Sequence, residues 1–80
     1  MKANIYVTLK REVLDPQGDA VRRALTSLEC GAVSDVRIGK LIELELATED
    51  ESEARAQLRQ MCEKLLANPV MEDFRFELVK

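Results

Sequence analysis

Between Ala3 and Leu9 the chain alternates strictly, with Ile5, Val7 and Leu9 on one side and Asn4, Tyr6 and Thr8 on the other. That period of two marks a strand with one buried face. A few residues later the period changes. Val21, Ala24, Leu25 and Leu28 fall at i, i+3, i+4 and i+7, a single apolar stripe along a helix, while Arg22, Arg23 and Ser27 face away. The same switch recurs in the second half of the chain, and a repeated strand-to-helix alternation leaves few folds open.

The boundaries follow from local chemistry. Lys10 to Leu14 reads as a loop, Asp15 as the cap of the first helix, Pro16 as its first-turn residue and Gly31 as its stop. Val36 and Ile38 alternate with Asp35 and Arg37 as a second strand, and Ile42, Leu44 and Leu46 alternate with Glu43 and Glu45 as a third. Gly39-Lys40 then reads as the turn between them. A bulge or three-residue loop at Gly39 pairs Ile38 with Ile42 and Val36 with Leu44, and brings Arg37 close to Glu43. Thr48 with Glu51, or Asp50 with Glu53, has capping-box spacing before a second helix. That helix carries the stripe Ala54, Leu58, Met61 and Leu65, widened by Cys62 and Leu66, and ends at Asn68-Pro69. Phe74, Phe76 and Leu78 alternate with Asp73, Arg75 and Glu77 as a fourth strand. The order βαββαβ predicts an α+β, ferredoxin-like split βαβ fold in one domain over residues 1–80: a four-stranded antiparallel sheet with two helices on one face. The other face, with Asn4, Tyr6, Thr8, Glu43, Arg75 and Glu77, is polar and suits either solvent or a polar protein interface.

Eighty residues give room for one small core, so a second copy or a partner is expected to cover further surface. The net charge of -3 opposes a nucleic-acid partner. No apolar run approaches the roughly 20 residues that span a bilayer, and Met1-Lys2-Ala3-Asn4 leads straight into the first strand without a signal-like segment. A cytoplasmic protein is expected. With no histidine and only Cys30 and Cys62, a four-ligand zinc site is out of reach. Both thiols are expected to be buried, reduced and apart.

Catalytic constellations are missing too. There is no near-neutral base and no nucleophile elbow, and the carboxylates read as solvated faces. No catalytic, metal or cofactor-binding residue is assigned. Asp15-Pro16-Gln17-Gly18 places free backbone N–H groups at a helix start, where they can meet an anion or a partner's carbonyls.

Four blocks stand out as text: Tyr6-Val7-Thr8-Leu9-Lys10, Val13-Leu14-Asp15-Pro16-Gln17-Gly18, Ser34-Asp35-Val36-Arg37-Ile38-Gly39-Lys40, and Met61 through Pro69. Together they resemble the PurS subunit of phosphoribosylformylglycinamidine synthase over nearly the whole chain. Leu41 and Phe74 depart from the pattern, where an aromatic and a tyrosine, respectively, are expected. The resemblance implies a non-catalytic subunit in de novo purine biosynthesis. It forms a homodimer or homotetramer and joins a PurL-like synthetase to a PurQ-like glutaminase, supporting assembly and the transfer of ammonia. ATP and Mg2+ then belong to the synthetase subunit. Asp15, Gln17, Gly18, Arg37, Gly39 and Lys40 lie in the matched blocks and are the candidate partner-interface residues. The competing reading is an ACT-type small-molecule regulatory domain, which shares the predicted fold.

Overall fold

In chain order the elements are β1 (Lys2–Leu9), α1 (Pro16–Ser27), β2 (Gly39–Glu45), α2 (Glu51–Met61), a π-helical continuation (Cys62–Leu66) and β3 (Glu72–Val79). The computed structural model describes residues 1–79; Lys80, the last residue of the predicted domain, lies outside the described residues. The sheet has three strands in the order β2-β1-β3, and both pairings are antiparallel.

The α+β class holds, but the predicted four-stranded βαββαβ sheet is corrected to β-α-β-α-β, because Asp35–Ile38 forms no strand. Its polar groups are engaged elsewhere. Ile38 donates its backbone N–H to the Asp15 carboxylate at 2.8 Å. Arg37 reaches back to the carbonyls of Lys10 and Val13 at 2.8 and 2.9 Å rather than out to Glu43. A backbone donor held by a side chain is lost to a sheet ladder. Gly39 and Lys40, predicted as a turn, instead open β2 opposite Thr8 and Val7. The predicted Ile38–Ile42 and Val36–Leu44 pairs are therefore absent; Ile42 faces Ile5, and Leu44 faces Ala3.

Central β1 supplies Ala3, Ile5 and Val7 to the core, and α2 with its continuation supplies Ala54, Leu58 and Cys62. Burying side chains the size of Ile5, Val7 and Leu58 contributes about 1.5–3 kcal/mol each. Ile42, Leu44, Phe74, Phe76 and Leu78 border this core and are only half-buried. Asp50 caps α2 by accepting from Ser52 and Glu53 N–H, and the Thr48 hydroxyl links Asp50 N–H to the Glu53 carboxylate. The predicted stripe holds at Ala54, Leu58, Met61, Cys62 and Leu66 and fails only at Leu65. Beyond Met61 the wider π turn, closed by Ala67 N–H to Cys62 C=O at 3.0 Å, rotates Leu65 outward to 81% exposure and seats Cys62 and Ala67 in the core.

α1 departs further from expectation. Gly18 is its only buried residue. Val21, Ala24 and Leu28 are exposed and Leu25 is half-buried, so the predicted stripe has no seat on the sheet and only α2 covers that face. The radius of gyration, 15.9 Å, exceeds the roughly 12 Å of a compact domain of this length. The helix also stops earlier than Gly31. Leu28 is its C-cap, and Glu29 takes the positive φ of 64° that was expected of the glycine. Cys30, beyond that cap, is exposed, correcting the expectation of two buried thiols; Cys62 is buried.

Candidate partner-binding site

Where β1 ends and β2 begins, Asp15 organises a latch between two loops. Its carboxylate accepts from Gly18 N–H at 2.9 Å through one oxygen and from Ile38 N–H at 2.8 Å through the other. The first bond caps α1; the second fastens the start of α1 to the chain entering β2. Asp15 is only 5% exposed. These N–H donors, Gly18 first and then Ile38, hold its carboxyl below the usual carboxylate range, and the Arg37 charge acts in the same direction.

Two glycines let the backbones meet. A Cβ on Gly18 would stand 2.9 Å from Asp15 Oδ2 and closer still to the Val36 carbonyl oxygen. On Gly39 it would stand 2.6 Å from the Val7 carbonyl oxygen. Arg37 completes the latch by tying the 10–14 loop to the same segment. Thus Asp15, Gly18, Arg37 and Gly39 converge, and the side chains of Asp15 and Arg37 are turned inward onto backbone groups. Gln17 and Lys40 are exposed; Lys40 lies 3.7 Å from Glu72 as an ion pair. The latch leaves no free N–H cradle at Gly18 for an anion, since Asp15 already occupies it.

A second constellation lies on the open face of the sheet. The Tyr6 hydroxyl donates to Glu77 at 2.8 Å, Asn4 Nδ2 donates to the same carboxylate oxygen at 3.3 Å, and the Arg75 guanidinium stacks 4.0 Å from the Tyr6 ring centroid. The Tyr6 bond comes first in lowering the Glu77 carboxyl, and the same contact raises the Tyr6 phenol. Sequence reasoning placed these residues on one face but missed the network. The signal was the β1–β3 register, which pairs Asn4 with Glu77 and Tyr6 with Arg75. Among the described residues no group of three His, Cys, Asp or Glu side chains is arranged to hold a metal ion, and no helix is long and apolar enough to cross a membrane.

A family model described as PurS, phosphoribosylformylglycinamidine (FGAM) synthase, matches residues 2–80. The chain belongs to the PurS family. The chain is 51% identical over 77 residues to the PurS subunit of Bacillus subtilis, covering 96% of this chain and 90% of that one. Its fold matches PurS of Methanocaldococcus jannaschii with a TM-score of 0.87 at 37% identity, over 99% of this chain and 95% of that one. A chain in the structure of PurLQS from Thermotoga maritima matches with a TM-score of 0.89 at 33% identity, over 98% and 95% of the two chains. The resemblance read from the sequence is confirmed, and with it a PurS subunit role in FGAM synthase and purine biosynthesis; the ACT-type alternative is set aside. On the PurS fold, the two matched blocks around Asp15 and Arg37 meet in the latch, which gives both a structural reason to be there.

Proposed function

We propose that this chain is the assembly subunit that holds a PurL-like synthetase and a PurQ-like glutaminase together, so that ammonia released from glutamine reaches the synthetase. The observation that carries this reading is the near-full-length match to a chain of the Thermotoga maritima PurLQS structure. Residues 1–80 act as one domain in the cytoplasm, ATP and Mg2+ are held by the synthetase, and this chain supplies surface rather than chemistry. Gln17 and Lys40 offer side chains to a partner, while Asp15, Gly18, Arg37 and Gly39 present them by fixing the two loops.

The chain works as a homodimer or homotetramer. The unpartnered stripe on α1, with Leu28 72% exposed, supports a second copy there. The stripe is continuous, apolar and held off its own sheet, and a chain with so small a core gains stability when such surface is covered. The assembly reading is tested by sedimenting the cognate synthetase and glutaminase with and without this chain. A species containing all three proteins is expected only when it is present; the same large species without it would refute the reading.

A further inference from the structure

The outer face of the sheet carries a row and a depression that solvation alone does not account for. Across the three strands Leu41, Tyr6 and Arg75 stand side by side. Leu41 is 53% exposed in the middle of β2, next to a tyrosine whose ring is held by Arg75 and whose hydroxyl is held by Glu77. An aromatic fixed in this way loses little entropy when a partner covers it, and tyrosine beside arginine is a common composition for the energetic centre of an interface.

One register step away, Glu43 and Glu45 flank a shallow depression lined also by Lys2 and Asn4. Among the described residues neither glutamate has a cation within ion-pair distance. The face as a whole sets Glu43, Glu45, Asp73 and Glu77 against Lys2, Arg75 and Lys10, which pairs with Asp73 at 4.0 Å, a net charge of -1 (three cations minus four anions) with Glu43 and Glu45 as its unpaired anions. Two such faces repel one another, so the charge argues against a second copy here, and the apolar stripe of α1 lies on a different element.

We propose that this face docks a basic surface of a different protein, with a lysine or arginine of the partner entering between Glu43 and Glu45 and an apolar side chain covering Leu41 and Tyr6. The inference rests on the assembly reading, which makes the partner one of the two catalytic subunits. Its recognition is electrostatic at the rim and apolar at the centre, so binding weakens with salt.

The test is calorimetric titration of the intact chain into the cognate synthetase and glutaminase, at about 50 and about 500 mM salt, where screening lengths differ severalfold. The double variant Glu43→Lys/Glu45→Lys is expected to lose about tenfold or more in affinity for one subunit, and Leu41→Asn several-fold. Both variants should keep the wild-type unfolding midpoint and oligomeric state. Should the double variant fold poorly, the single exposed change Leu41→Asn still decides the matter. Wild-type affinity with both variants, while the wild-type chain binds, overturns the face and leaves the assembly reading standing. A wild-type chain that binds neither subunit overturns both, and a change in the variants' own oligomeric state assigns the face to a second copy and overturns the proposal.

Discussion

Replacing Gly18 by alanine sets helix propensity against close packing. On propensity alone the change favours α1 by up to about 1 kcal/mol, since glycine is the weakest ordinary helix former after proline. The latch reverses the sign. The new methyl group would lie 2.9 Å from Asp15 Oδ2 and 3.0 Å from the Val36 carbonyl carbon, and neither the capping carboxylate nor the Val36 backbone can yield without disturbing the Asp15–Ile38 bond. Forcing a methyl group into a filled site costs about 1–3 kcal/mol, so the net loss should be about 1–2 kcal/mol. For a chain of this length that lowers the unfolding midpoint by roughly 5–15 °C. Gly31→Ala is the matched control: no atom lies within 4 Å of its added Cβ and its φ is not positive. It should be neutral or stabilise by about 0.4–1 kcal/mol. Circular dichroism melts at one fixed protein concentration measure both, because association shifts the midpoint. If Gly18→Ala melts at or above wild type, the close approach of the two loops is wrong.

Three further outcomes are expected. Because the folded state lowers the Asp15 pKa, the stability Asp15 contributes is present above its unfolded value near 4 and is lost as pH falls through the lower folded value; the gap between wild type and Asp15→Asn should therefore shrink in acid, and a constant gap between about pH 3 and 7 would contradict this. Exposed Cys30 should react with a thiol reagent in the native protein, whereas Cys62, whose thiol is raised chiefly by burial, should react only on unfolding and should form no bond with Cys30; equal labelling rates by mass spectrometry would count against the core as described. Leu28→Asp should weaken self-association at least tenfold in analytical ultracentrifugation while leaving the fold intact, because α1 contributes only Gly18 to the protomer's buried residues; unchanged association would place the homo-oligomer interface elsewhere.

The elements set by local chemistry were legible in the sequence. Asp15-Pro16 and Asp50 mark the two α-helix starts because side-chain caps act within three residues. Alternation located β1, most of β2 and β3. The second strand was misplaced because Val36 and Ile38 alternate convincingly, yet the Ile38 N–H and the Arg37 side chain are recruited by residues 23 to 27 positions away, a long-range competition that no local pattern displays. Leu65 was misread for another reason: the stripe assumes 3.6 residues per turn, and the π turn after Met61 changes the period. In α1 the stripe is real but its seat is not on this chain's own sheet, so periodicity identified an apolar face without identifying what covers it. Of the six candidate partner-interface residues, local pattern did not reveal that the Asp15 and Arg37 side chains are turned inward onto backbone groups, nor that the open sheet face carries a preorganised tyrosine.

The assembly role is most directly tested by amidine formation from formylglycinamide ribonucleotide, with cognate synthetase and glutaminase, ATP and Mg2+, in the presence and absence of this chain. Glutamine and ammonia should serve as alternative nitrogen donors in parallel. Omitting the chain should abolish or severely reduce the glutamine-dependent rate and reduce the ammonia-dependent rate much less, because what is lost is the coupling between two active sites. Full glutamine-dependent activity without this chain would contradict the account.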